Sequence, residues 1–363
     1  MSVVRKLVVF TIMAAIASTA SAAESNDARE KAVEKGVQFL KISQNEEGYW
    51  TTDKSPGITA LCLNALVLSD VPESDESVQK AVAYLKKHIQ KDGGIYAADS
   101  NHRNYETAIS MLALSNLDSK KYSDVIANGA KFLRGLQWDE GEGLESSDTS
   151  YGGAGYGGHS RPDLSNTQYL LEALKASGAG PDDPAIKKAL IFVSRTQNLE
   201  TEHNTTEFAS KVDDGGFYYT PAAGGTSQAG ETDNGGLRSY GSMTYAGLKS
   251  MIYAGLTPKD PRVKAAYSWI QKNYTLTENP GLGQQGRFYY FHTFAKALDT
   301  LGNSTIEDAD GKSHNWKTDL SSTLVELQKE NGSWVNTAPR WYEGDPNLST
   351  AYALMALSYC DGK

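Results

Sequence analysis

The residues of this sequence most suited to chemistry cluster just ahead of a recurring threonine. His292 directly precedes Thr293 and follows Tyr289, Tyr290 and Phe291. Glu106 precedes Thr107 in the same way, with Tyr105 before it. If both face one space, they form an imidazole–carboxyl pair of the kind used for general acid–base catalysis. Three roles stay open for His292: ligand contact, proton transfer, and a hydrogen-bonded structural part. Asp163 and Asn166 precede Thr167, while Asp345 and Asn347 precede Thr350. Either pair can cap a helix start or hold a polar ligand. Tyr240 and Tyr290 each offer an aromatic ring carrying a hydroxyl. His102, Arg103, His159, Arg161, Arg238 and Arg340 can meet an anionic group or remain solvated.

All of these positions open, or sit in the loops before, a repeated segment. Runs of about 12 residues start near Gly57, Asn104, Asp163, Tyr240, Tyr290 and Asn347, each with a threonine close to its start: Thr59, Thr107, Thr167, Thr244, Thr293 and Thr350. Small and apolar residues then follow on every side, predicting helices buried around most of their circumference. Between them lie amphipathic segments, apolar at helical spacing with Lys or Arg elsewhere. Most of these end in Gln and a Gly-aromatic turn. The first runs from Gly36 and Phe39 to Gln44, Gly48, Tyr49 and Trp50, and the last ends at Gln328, Gly332, Ser333 and Trp334. In the fifth, Tyr274 stands in the Gln place.

Six amphipathic and six apolar segments in strict alternation predict an all-α fold, an (α/α)6 toroid with six inner and six outer helices. The expected organisation is one domain over residues 23–363. Links from outer to inner helices are the longer ones, and they share a rim with every inner-helix start. Free N–H groups at those starts favour anions or polar acceptors. The ligand mouth is therefore expected at this rim, with Tyr105, Glu106, Asp163, Asn166, Tyr240, Tyr290, His292, Asp345 and Asn347 around it.

Composition narrows the partners. The net charge is −9, from 35 Lys+Arg against 44 Asp+Glu, which argues against nucleic acid. Arg5 and Lys6, the apolar run from Leu7 to Ala17, and Ala20-Ser21-Ala22 have the layout of a secretory signal peptide over 1–22. No other stretch is apolar enough to span a bilayer, so a periplasmic or secreted monomer is expected. The two cysteines, Cys62 and Cys360, fall about seven residues apart in depth when their threonines are aligned. That offset, roughly 10 Å along a helix, predicts two unpaired thiols.

The Gln and Gly-aromatic segments resemble the QW repeat of triterpene cyclases, the squalene–hopene and oxidosqualene cyclases, whose toroid is shared with protein prenyltransferase β subunits. The resemblance spans about Asp27 to Tyr359 and implies a central aromatic pocket for an isoprenoid or other small hydrophobic ligand. The cyclases' DxDD acid motif has no match; Asp308-Ala309-Asp310-Gly311 is the nearest pattern. Tyr290-Phe291-His292-Thr293 resembles the prenyltransferase segment that carries a zinc-binding His. Tyr240-Gly241-Ser242 stands where the Asp-x-Cys partner would be, so no metal and no cofactor are expected. The resemblance leaves open whether the protein is a divergent cyclase-like enzyme or a binding protein. A carbohydrate-active barrel binding a glycan, with paired carboxylates about 5–9.5 Å apart, and a protein-binding scaffold are the alternatives.

Overall fold

The computed structural model describes residues 26–157 and 160–361, so the segment read as a signal peptide, and His159, lie outside the described residues. In chain order the helices are α1 (26–43), α2 (Pro56–Leu68), α3 (Glu76–Lys87), α4 (Arg103–Asp118), α5 (Ser123–Arg134), α6 (Leu164–Ala176), α7 (Pro184–Arg195), α8 (Ala209–Val212), α9 (Gly241–Tyr253), α10 (Pro261–Lys272), α11 (Arg287–Leu301), α12 (Trp316–Leu327) and α13 (Pro346–Ser358). The short α8 lies inside a long link; the other helices alternate between an outer and an inner ring.

Local sequence explains the two kinds of helix. In outer α3, Val78, Ala81, Val82 and Leu85 are buried on one face. Asp75 caps its start by accepting from the Ser77 N–H, and Lys86 and Lys87 complement the helix dipole at its end. Pro184 and Pro261 open α7 and α10, where a missing N–H does no harm. Inner α2 and α13 bury nearly every side chain after their first turns. The inner ring runs α2–α4–α6–α9–α11–α13, and α13 packs back on α2. This is the all-α toroid that the alternation implied.

Hydrogen bonds explain both recurring signals. The threonine hydroxyl at five of the six inner-helix starts accepts from the backbone N–H of the turn before it: Thr59 from Trp50, Thr107 from Ile95, Thr167 from Ala154, Thr244 from Phe217 and Thr350 from Trp334, at 3.0–3.2 Å. Thr293 instead donates to its own helix, at the Tyr289 and Tyr290 carbonyls. The glutamines tie successive outer helices together. Gln44 donates to the Ser77 carbonyl in α3, Gln137 to Ala185 in α7 and Gln197 to Arg262 in α10. Gln328 reaches Ala32 in α1 at 2.8 Å, which closes the outer ring. Tyr274 does the same work by another route, its hydroxyl donating to Asp319 of α12. Gln90 departs from the pattern and bonds the His88 and Tyr96 carbonyls within its own turn.

Asp308 and Asp310 lie in the link from inner α11 to outer α12. They form the turn of an antiparallel hairpin, β1 (Thr305–Glu307) and β2 (Ser313–Asn315), where Asp308 accepts from the N–H groups of Asp310 and Lys312. Cys62 and Cys360 are buried free thiols.

Candidate functional site

The rim differs from its expected form in one decisive respect: its helix N-termini are not free. The N–H of Asn104 donates to the Tyr156 carbonyl, that of Leu164 to Tyr219, and that of Gly241 to Pro280. At α11 the N–H groups of Phe288 and Tyr289 donate to the Glu343 carboxylate. Four of the six inner helices, α4, α6, α9 and α11, are thus capped by the loop of a neighbouring repeat, while Ser55 caps α2 from within its own link. Asp163 and Asp345 cap their own helices through the N–H groups of Asn166 and Leu348. Donors at every inner-helix start are thus already engaged within the protein, which weakens the rim as the anion site that its helix dipoles suggested.

Several expected site residues take part in this rim bonding. Glu106 is 1% exposed and accepts from the Ser55 hydroxyl at 2.6 Å and the Ala97 N–H at 3.1 Å. It joins two rim loops and shares none of these partners with His292, which stacks on Tyr352. Burial raises its carboxyl above the ordinary range despite those bonds. Asn347 bonds the Ser43 and Thr51 hydroxyls, and Asp345 accepts from Thr51; both serve ring closure. Asn166 donates to Asp163 at 2.8 Å. Tyr290 is fully buried, its hydroxyl on the Thr275 carbonyl and its ring 5.7 Å from that of Tyr245 and 5.9 Å from that of Phe294. It packs in the core. Tyr240, 2% exposed, precedes α9 and donates its N–H to the Phe217 carbonyl.

Two of the expected residues do meet, through a third that sequence reasoning missed. The Tyr105 hydroxyl lies 3.3 Å from that of Tyr352, and the His292 ring stacks on Tyr352 at 5.8 Å. Tyr169 meets Tyr105 edge-on at 5.2 Å, and Tyr289 meets Tyr352 at 5.8 Å. Tyr289 also bonds Ser165 and Gln168 of α6. Four inner helices, α4, α6, α11 and α13, therefore each send a tyrosine to one place. Tyr105, Ser165 and Tyr289 remain partly exposed, whereas Tyr169, Tyr352 and His292 are nearly closed off. The tyrosine hydroxyl of Tyr169, the Gln168 carbonyl oxygen and His292 Nδ1 are buried without a partner.

Beneath this layer lie charges that no sequence argument had singled out. Glu172 of α6 bonds both Lys249 of α9 and Lys296 of α11. Burial opposes its ionisation, yet the two ammoniums outweigh that and hold the Glu172 carboxyl at about 2. Burial together with the Lys296 and Lys249 charges lowers His292 to about 3. An imidazole so hard to protonate is a neutral hydrogen-bonding group and a poor general base at pH 7, which favours ligand contact over proton transfer among the roles left open for it. The signal for the triad was available: charged residues inside helices otherwise apolar on all sides.

Asp163 yields a pH test. Burial raises its carboxyl to about 6, against the bonds from Asn166. A folded-state value above the unfolded value of about 3.9 means that the folded form holds the proton longer. Stability attributable to Asp163 is therefore greatest below about pH 4 and falls as pH rises towards 6, by about 3 kcal/mol. Asp163→Asn, which keeps a capping side chain, is expected to abolish this slope in urea titrations at pH 4–7. An unchanged slope would remove Asp163 as its source.

The ring order, with α13 packed on α2 and Gln328 bonded to α1, defines an all-α double-ring toroid. The family described as squalene–hopene cyclase C-terminal domain matches residues 51–220. Among solved structures, a ligand-free variant of the type II terpene cyclase MstE from Scytonema has 13% identity and a TM-score of 0.56, with 93% of this chain and 97% of that one covered. Another variant of that enzyme, in complex with geranylgeranyl dihydroxybenzoate as substrate, has 12% identity and a TM-score of 0.55 over the same shares. No curated protein matches the sequence. Among the described residues no helix is long and apolar enough to cross a membrane.

Proposed function

We propose that this protein handles an isoprenoid or similarly hydrophobic ligand at the cluster of Tyr105, Tyr169, Tyr289, Tyr352 and His292. The observation that carries this reading is the convergence of four tyrosines from four inner helices in a terpenoid-cyclase-like toroid. The similar fold of MstE, seen with geranylgeranyl dihydroxybenzoate, supports the same ligand class. The Gln and Gly-aromatic segments, read as QW repeats, fit it as well. Glycan hydrolysis fits less well: Glu172 is tied to two lysines, while Glu106 and Glu343 secure the rim. Glu172 is likewise no source of the strong acid that starts cyclisation in DxDD enzymes, so ligand holding is favoured over proton-initiated turnover. We place the working protein outside the cytoplasm as a monomer of one toroid domain over 23–363, after removal of 1–22.

Tryptophan-fluorescence titration of the mature protein with geranylgeraniol tests this. Saturable binding is expected, and Tyr105→Ala, a change at a partly exposed position, should weaken it at least tenfold, or about 1.4 kcal/mol. Binding of maltohexaose but not geranylgeraniol would sink the proposal, as would an unaffected Tyr105→Ala variant.

A further inference from the structure

The charges beneath the tyrosine layer do not balance. Glu172 and Lys249 are each 1% exposed at the side chain, and Lys296 is 13% exposed. One carboxylate therefore answers two ammoniums. Buried charges are normally paired one to one, because an uncompensated ion away from water is costly. Other acids in the vicinity do not make up the difference. Asp299, one turn beyond Lys296 on α11, is about half exposed and lies 3.7 Å from Lys317. Tyr253 and Tyr359, which sense the Lys296 charge, are phenols that stay neutral at pH 7. His292, one turn before Lys296 on the same face of α11, is neutral and carries a buried Nδ1 without a partner.

The triad also has a definite place relative to the aromatic layer. Glu172 lies four residues after Gln168 on α6, as Lys296 lies four after His292 on α11, so each charge sits one turn below a wall residue. Asp163, at the rim end of α6, is nine residues from Glu172, a depth of about 13–14 Å. A ligand entering from the rim with its apolar part among the tyrosines would bring a polar end to Lys296, the member of the triad that solvent-sized space still reaches.

We infer that Lys249 and Lys296, sharing Glu172, form the floor of the site and receive a singly charged anionic head group, so that the ligand is an amphiphilic acid bound head-down. This rests on the proposed hydrophobic site and adds its polarity and orientation. A carboxylate would bring two anions to two cations, while His292 Nδ1 and the Tyr169 hydroxyl supply neutral hydrogen bonds beside it. An alcohol of the same length would leave the extra ammonium uncompensated.

Four probes separate head from tail: farnesoate, farnesol, dodecanoate and dodecanol, titrated at pH 7.5 into wild type and Lys296→Gln. Both acids are expected to bind wild type at least tenfold more tightly than their alcohols. In Lys296→Gln, where one cation faces one anion, the ratio should fall to within twofold. Wild-type acids and alcohols binding alike would overturn the inference, needing no variant to fold. A preference that survives in a folded Lys296→Gln would also overturn it. A farnesyl preference over dodecyl, whatever the head, bears on the isoprenoid reading instead, and its absence would defeat that reading alone. No binding by any of the four would defeat both.

Discussion

Replacing Glu172 with glutamine is expected to destabilise the protein by about 3–5 kcal/mol at pH 7, because removing one partner leaves buried charge behind. The replacement keeps the volume, so the loss is electrostatic and not one of packing. Its pH dependence follows from the groups involved. Glu172 titrates at about 2 when folded and near 4.3 unfolded, so its contribution is present above about pH 4.3 and disappears as pH falls towards 2. The gap between wild type and variant should therefore narrow in acid. It should narrow again in alkali. Burial lowers Lys249 to about 8, partly offset by Glu172, and without Glu172 it releases its proton more readily still. Between there and the unfolded lysine value of about 10.4 the unfolded chain binds more protons, so raising pH favours the folded variant. Urea unfolding at pH 3.5, 7 and 9.5 checks all three points. A loss below 1 kcal/mol at pH 7 would mean that the triad is relieved by water or by movement of the lysines.

A comparable loss is expected at the seam of the ring. Trp334 is fully buried, its indole N–H donates to the Leu324 carbonyl at 2.8 Å, and its backbone N–H donates to Thr350. It faces Gly36 of α1 so closely that a Cβ there would meet the ring at 2.8 Å and Leu354 at 3.0 Å. Trp334→Ala should cost about 3–5 kcal/mol, as large-to-small changes in a core do. Gly36→Ala should be destabilising too, since it overpacks the same contact. Denaturation of both variants alongside wild type tests whether the first and last repeats are held together here. If Trp334→Ala unfolds within 1 kcal/mol of wild type, the seam is held elsewhere, with Gln328 on the Ala32 carbonyl the next candidate.

The rings were legible from the chain because each signal behind them is local and periodic. Apolar spacing separated inner from outer helices, and the threonine and glutamine positions marked where each begins or ends. Their partners could not be read, since Gln328 bonds a carbonyl 296 residues away. The site was harder for a geometric reason. Successive residues on a helix point about 100° apart, so knowing that Tyr105 and Glu106 share a first turn does not reveal that one meets Tyr352 while the other joins Ser55 and Ala97. The same ambiguity separates Tyr290, packed in the core, from His292, stacked on Tyr352. Lys249 is a charge within GSMTYAGLKSMIY, a helix otherwise free of charge, yet it passed unnoticed because its meaning depended on Glu172 and Lys296, which come from other helices. Architecture, then, was written in the period of the sequence. The site depended on which first-turn side chains turn inward and which charges meet across the ring, and both follow from packing between residues far apart in the chain.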